Sequence, residues 1–159
     1  MIGLNFLVIP FTLLIGLMLL ILPLPDWAQT YRPDWVALIL IYWSMALPKK
    51  IGLWFAFFTG LLVDVTQGTL LGQHSMALVM VVFINLNLYQ RIRVLSLPRQ
   101  ALYVMVLLII NQIALVLIEG MLQRSTPVMA FFGPPLTGML MWPWLFILLR
   151  DIRRKAHLA

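Results

Sequence analysis

The chain has 159 residues, 63% of them hydrophobic and only 10% charged, with a mean hydropathy of +1.01 and a formal net charge of +6. A soluble domain carries about a quarter charged residues, so this composition excludes a globular enzyme on a single anchor and points to an integral membrane protein. The absence of cysteine removes disulfides, thiolate metal sites and cysteine nucleophiles.

The first apolar run covers residues 3–22. Its residues, rising about 1.5 Å each, reach roughly 30 Å, the thickness of the hydrocarbon layer. It lacks a basic n-region and a small-x-small cleavage site, so a retained helix is expected rather than a signal peptide. Pro23 and Pro25 end it. Trp27, Tyr31 and Trp35 are placed like an interfacial aromatic belt. Pro33 suits the first turn of the next helix, and Asp34 suits the positive end of its dipole.

The second helix, 35–47, reaches only about 20 Å before Pro48-Lys49-Lys50 closes it. The third, 51–66, is short too. Short helices joined by a tight turn are tilted, flanked by thinned bilayer or sheltered inside a bundle, and the sequence leaves all three open. From Gly52 onward, Gly52, Ala56 and Gly60 repeat at every fourth position, and Asp64 continues the same helical face. Small residues at that spacing let another backbone approach closely. The stretch Gly52–Gly72 is therefore expected to be a central packing helix with a polar tip. Asp64 is an expensive carboxylate in lipid unless paired, and Gly68 and Gly72 mark a tight polar reversal.

The fourth run, 70–89, has His74 near its start and Asn85 and Asn87 near its end. Arg91, Arg93 and Arg99 make a basic loop around Pro98. The fifth, 100–122, carries Asn111 and Gln112 at mid-depth, and Glu119 shares a face with Gln112. The sixth, 128–149, meets Gly133-Pro134-Pro135. Either the helix breaks there, or it begins at Pro134 or Pro135 and continues into the basic tail. Pro143, between Trp142 and Trp144, is expected to kink it.

Six spans place Lys49, Lys50, Arg91, Arg93, Arg99, Arg150, Arg153, Arg154 and Lys155 on one side, and only Arg32 and Arg124 on the other. That bias orients the basic side and both termini toward the cytoplasm. Arg32, Asp34, Asp64, His74, Glu119 and Arg124 then gather at the outer helix ends. They either converge on a pocket or partner site, or simply collect where helix ends are wet. Asp64 and His74 fall short of the three or four ligands a metal site needs. Asp64 and Glu119 come with no nucleophile or motif for acid–base chemistry. No cofactor is implied. Asn111 and Gln112 read as hydrogen-bonding glue between helices, with a solute or proton path as the alternative. Arg91, Arg93, Arg99, Arg150, Arg153, Arg154 and Lys155 are expected to touch anionic headgroups or a cytoplasmic protein.

Several short motifs in order give a resemblance. They are Arg32-Pro33-Asp34-Trp35, Tyr42-Trp43, Leu47-Pro48, then Gly60, Leu62 and Asp64, then Gly68 and Leu71-Gly72, and finally Gly138 and Trp142-Pro143-Trp144 before a basic tail. In this order the chain resembles the bacterial rod-shape-determining membrane protein family MreD over nearly its whole length. Members often have an aromatic where Phe83-Ile84-Asn85 stands, and acidic residues can occur in the region of Asn111. The resemblance implies a non-enzymatic inner-membrane scaffold of the rod or elongation complex. The implied partners are the bitopic MreC, with MreB, RodZ, RodA and its partner transpeptidase. It also implies an all-α, six-helix transmembrane bundle, one domain over 1–159, similar to the substrate-binding subunits of energy-coupling-factor transporters. On this reading the Arg32–Asp34 and Asp64–Gly72 segments form an outer groove for a partner's transmembrane or juxtamembrane segment. The rival reading is a substrate-binding transporter subunit or small-solute carrier, suggested by the outer polar set and by a broken sixth helix.

Overall fold

The computed structural model of the chain describes residues 7–23, 25, 32–68, 71–121 and 128–155, with backbone alone for 128–132. Six helices follow one another: α1 Val8–Ile21, α2 Trp35–Ala46, α3 Leu53–Gln67, α4 Gln73–Ile92, α5 Leu97–Met121 and α6 Val128–Lys155. No strand occurs among the described residues. Trp27, Tyr31 and Arg124 lie outside them.

The core is built around α2. Every residue from Val36 to Ala46 is buried. A helix of 12 residues reaches only about 18 Å, and of the three fates open to it α2 takes the sheltered one. It packs against α1, α4, α5 and α6. Its sequence has no polar stripe, which is the pattern of a helix covered all round.

This corrects the expectation that α3 is the central packing helix. α3 buries one stripe, through Ala56, Thr59, Gly60, Val63 and Asp64, and turns Trp54, Phe58, Leu62 and Val65 outward. The small-residue stripe brings backbones together at a single place. A Cβ on Gly60 would lie 2.3 Å from Ser75 Cα and 2.5 Å from Ser75 N, so α3 and α4 touch main chain to main chain. Gly52 does not belong to that contact. It is the N-cap residue of α3, and a Cβ there would meet nothing within 4 Å. Gly68 and Gly72 hold φ of 69° and 98°, left-handed conformations that favour glycine and that close the reversal between α3 and α4.

The sixth helix is not broken at Gly133-Pro134-Pro135, nor does it begin there. α6 runs from Val128 to Lys155 with Pro134, Pro135 and Pro143 inside it. Each proline removes one N–H from the ladder. The adjacent pair confines that loss to the carbonyls of residues 130 and 131, and the Thr137 hydroxyl backs the following turn by donating to Gly133 O at 3.0 Å. Prolines are tolerated in apolar helices where such local bonds and neighbouring helices compensate. Continuation into the basic tail is found, with Arg153, Arg154 and Lys155 in the last turn, where cations suit the negative end of the dipole.

Buried polar side chains tie the helices laterally. Asn85 of α4 donates to Ile41 O at 3.0 Å and to Ser44 Oγ at 2.5 Å, and accepts from the Tyr103 hydroxyl of α5 at 3.0 Å. Trp43 Nε1 donates to Thr12 Oγ1 at 2.9 Å. The outward surface is apolar on several helices, with Phe11 and Met18 on α1, Leu102 and Leu117 on α5, and Leu140 and Leu148 on α6 all exposed. Two helices, α4 and α5, are long and apolar enough to cross a membrane. Such a surface is consistent with a membrane protein.

Candidate functional site

Two helix ends and one turn build the site. Asp34 is the N-cap of α2, where Oδ1 accepts the Ala37 N–H at 3.2 Å. A carboxylate here meets unpaired N–H groups and the positive end of the dipole. Pro33, buried, stands before the cap rather than in the first turn. The Asp34 Oδ2 accepts from Asn111 Nδ2 at 3.2 Å, which joins α5 to the start of α2. Loss of surrounding water pushes the Asp34 carboxyl above its ordinary pKa, opposed by the His74 charge, the Ala37 N–H and the Asn111 amide. Just before it, the Arg32 guanidinium donates to the carbonyls of Leu20 and Leu22. Those carbonyls end α1 and have no helical partner.

Asp64 is fully buried behind the facing wall, which His74 and Gln67 line. Its Oδ2 accepts the Gly72 N–H at 2.9 Å, and its Oδ1 accepts the His74 N–H at 2.9 Å. The His74 ring adds a third bond, Nδ1 to Oδ1 at 2.7 Å. An ionised carboxylate only accepts, so Nδ1 carries the proton in that contact. Asp64 thus caps the first turn of α4 from the last turn of α3. The expense of a buried carboxylate is met by two main-chain donors and an imidazole. Gln73, next to His74, donates from Nε2 to Glu119 Oε1 at 3.4 Å.

Between these walls lies a cavity of about 180 Å³, whose lining includes Arg32, Asp34, Gln67, His74, Asn111 and Gln112. Its lining draws on the C-terminal ends of α1 and α3, the N-terminal ends of α2 and α4, the middle of α5 and the second turn of α6. Two buried polar atoms on the lining, Arg32 Nε and Asn111 Oδ1, have no partner among the described residues. The volume suits a few waters or one or two polar side chains.

The structure thus brings Arg32, Asp34, Asp64 and His74 together, with Glu119 one bond away through Gln73. Trp35 and Ala56 pack into the core instead. The residues Arg91, Arg93, Arg99, Arg150, Arg153, Arg154 and Lys155 belong to the other ends of α4, α5 and α6. Gln67 lies outside the candidate set read from sequence. Its signal was its position three residues after Asp64, on the same face. Asn111, read as glue, does bond across helices, but to the cap of α2. No group of three or more metal-ligating side chains occurs among the described residues.

A family model for the rod shape-determining protein MreD matches residues 2–152. A relative from Haemophilus influenzae, described as rod shape-determining protein MreD, is 35% identical over 156 residues, covering 98% of this chain and 92% of the relative. No solved structure matches the chain. With the match extending from the first helix into the last, the chain belongs to the MreD family of rod shape-determining proteins.

Proposed function

We propose that this chain is a non-enzymatic scaffold of the rod elongation complex. It crosses the inner membrane six times with both termini cytoplasmic, and it holds the bitopic MreC and, through it, cell-wall synthases. Family membership over the whole chain carries the role in rod shape. The engagement of the Asp64 carboxylate supports a scaffold within that role. Both oxygens of Asp64 accept main-chain hydrogen bonds inside the bundle, so it braces the turn between α3 and α4 rather than waits for a proton. Asp64 is a positioning residue of the outer site. Gln67, His74 and Gln112 form its accessible wall, and a juxtamembrane side chain of the partner enters between them.

A photo-crosslinking residue at Gln67 tests this in living cells. Capture of the bitopic shape protein from position 67, but not from lipid-facing Trp144, is the expected result. No capture from 67, together with full retention of the complex by Gln67→Trp, refutes the groove. The carrier reading loses its premise of a broken helix and keeps only the small polar cavity. A stoichiometric metabolite released from gently purified protein would restore it.

A further inference from the structure

At the opposite end of α2 a second cavity, of about 220 Å³, is lined by Tyr42, Met45, Arg93, Gln100, Phe146 and Arg153 among others. An adjoining cavity shares Ala46 and Arg93 with it and adds Lys49 and Lys50. Arg93 and Arg153 come from α4's end and from α6, and neither is held in an ion pair among the described residues. Arg93 lies over the Tyr89 ring at 5.8 Å, which leaves guanidinium N–H groups to donate elsewhere.

The floor of this cavity is the informative part. Tyr42 is 2% exposed, and its hydroxyl has no hydrogen-bond partner among the described residues. Its ring is wedged edge-on against Trp43 and Phe146, with centroids 5.3 Å and 5.5 Å away, so the hydroxyl cannot swing to another acceptor. Gln100, also buried, is already engaged. It accepts from Trp142 Nε1 at 3.4 Å and donates to Ile92 O at 3.1 Å. Arg150 also has a buried Nε without a partner. A buried donor left unmade is costly, and here the unmet Tyr42 hydroxyl shares a cavity with two guanidinium groups, those of Arg93 and Arg153.

We propose that this cavity binds a phosphate group, with Arg93 and Arg153 as charged partners and the Tyr42 hydroxyl as the neutral donor beneath them. Guanidinium groups match phosphate oxygens with paired N–H bonds. Two sources offer that chemistry, the headgroup of an anionic phospholipid and a free phosphate ion. Basic cavities between helices on the cytoplasmic side suit the former. That choice of source rests on the six-span orientation. The site itself is independent of the partner reading at the other end.

The test uses the full chain in nanodiscs of phosphatidylcholine, with phosphatidylglycerol included in one arm and inorganic phosphate added in another. Ligand binding is read by thermal unfolding and by native mass spectrometry of retained lipid. Stabilisation by phosphatidylglycerol assigns the site to a lipid, and stabilisation by inorganic phosphate alone assigns it to the free ion. Stabilisation by neither overturns the proposal. The pair Arg93→Gln and Arg153→Gln is expected to weaken binding about tenfold or more. The pair Arg154→Gln and Lys155→Gln removes the same charge from exposed positions and is expected to leave most of it. Equal losses from both pairs would mean diffuse surface charge and would overturn the site. Should the first pair disturb folding, Tyr42→Phe conserves the packing and removes only the hydroxyl. It is expected to weaken binding severalfold, and unchanged affinity would refute the role of the floor.

Discussion

Replacing Gly60 with alanine adds one methyl group at the place where α3 and α4 touch. Two effects oppose each other. Alanine is the better helix former by about 1 kcal/mol. Against that, the new Cβ would stand 2.3 Å from Ser75 Cα, 2.5 Å from Ser75 N and 2.9 Å from His74 C. Ordinary contact between carbon atoms is about 3.5–4.0 Å, so the two helices must part by more than about 1 Å to accept it. All three clashing atoms are main chain, so no rotamer change relieves them. Parting also stretches the Ser75 hydroxyl bond to Phe57 O, now 3.0 Å, and the Asp64 bonds to Gly72 and His74. Overpacking of this kind costs about 1–3 kcal/mol and weakened buried bonds about 1 kcal/mol more, so the clash wins. A net loss of about 2 kcal/mol, near thirtyfold in the folding equilibrium, is expected. Titration with sodium dodecyl sulfate in mixed micelles, followed by tryptophan fluorescence, measures it. Two controls calibrate the result. At Gly138 the nearest atom is Leu108 Cδ1 at 2.4 Å, the far end of a flexible side chain, so Gly138→Ala should cost less than about 1.5 kcal/mol. At Gly120 nothing lies within 4 Å, and Gly120→Ala should be neutral or slightly stabilising. If Gly60→Ala is as stable as Gly120→Ala, the close approach is not what holds α3 to α4.

Asp64→Asn keeps the shape but leaves one acceptor where two served Gly72 and His74, and should cost about 1–3 kcal/mol. Amide hydrogen exchange should accelerate at Gly72 or His74 and not at Ala37. A double-mutant cycle of Asn85→Ala with Tyr103→Phe should give a coupling of about 0.6–1.7 kcal/mol, whereas additivity within about 0.3 kcal/mol would show that their 3.0 Å bond contributes nothing. Because burial raises the Asp34 pKa, the folded state binds this proton more tightly than the unfolded chain does. Its contribution to stability therefore falls as pH rises from the ordinary value through the raised one. Asp34→Asn retains an acceptor for the Ala37 N–H and should flatten the pH dependence of unfolding in that window. An unchanged profile would show that desolvation does not govern this carboxyl.

How much of this was legible beforehand differs from element to element. Six apolar runs correspond to six helices, with boundary chemistry legible at Pro23, Pro48 and Gly68, whereas Pro98, read as loop, lies in the first turn of α5. Gly60 was legible from spacing alone, since a Cβ-free position on an apolar face has few other uses. The centre was misassigned because a small-residue stripe signals close approach, not depth. Depth showed instead in the unbroken apolar run of α2, WVALILIYWSMA, which has no polar face to present. The proline pair misled because the breaking rule is calibrated on helices in water, where a freed carbonyl is easily solvated. The bond from Asn111 to Asp34 spans 77 residues, and no local pattern says which helix an amide will face. For the same reason the unpartnered hydroxyl of Tyr42 was invisible. A tyrosine in an apolar run looks like any other aromatic until its neighbours are placed.

The shortness of α2 has a geometric consequence. On the six-span reading proposed above, a helix of about 18 Å centred in a layer of roughly 30 Å leaves about 6 Å unfilled at each end. The two polar cavities open at those ends, one beside Asp34 and one over Tyr42 and Met45. The bundle therefore has the form of two shallow vestibules back to back, stoppered by a dry aliphatic plug from Val36 to Ile41. Nothing polar crosses that plug without expelling a helix in contact with four others. The partner side chain proposed at one end and the phosphate proposed at the other would then have no route to each other.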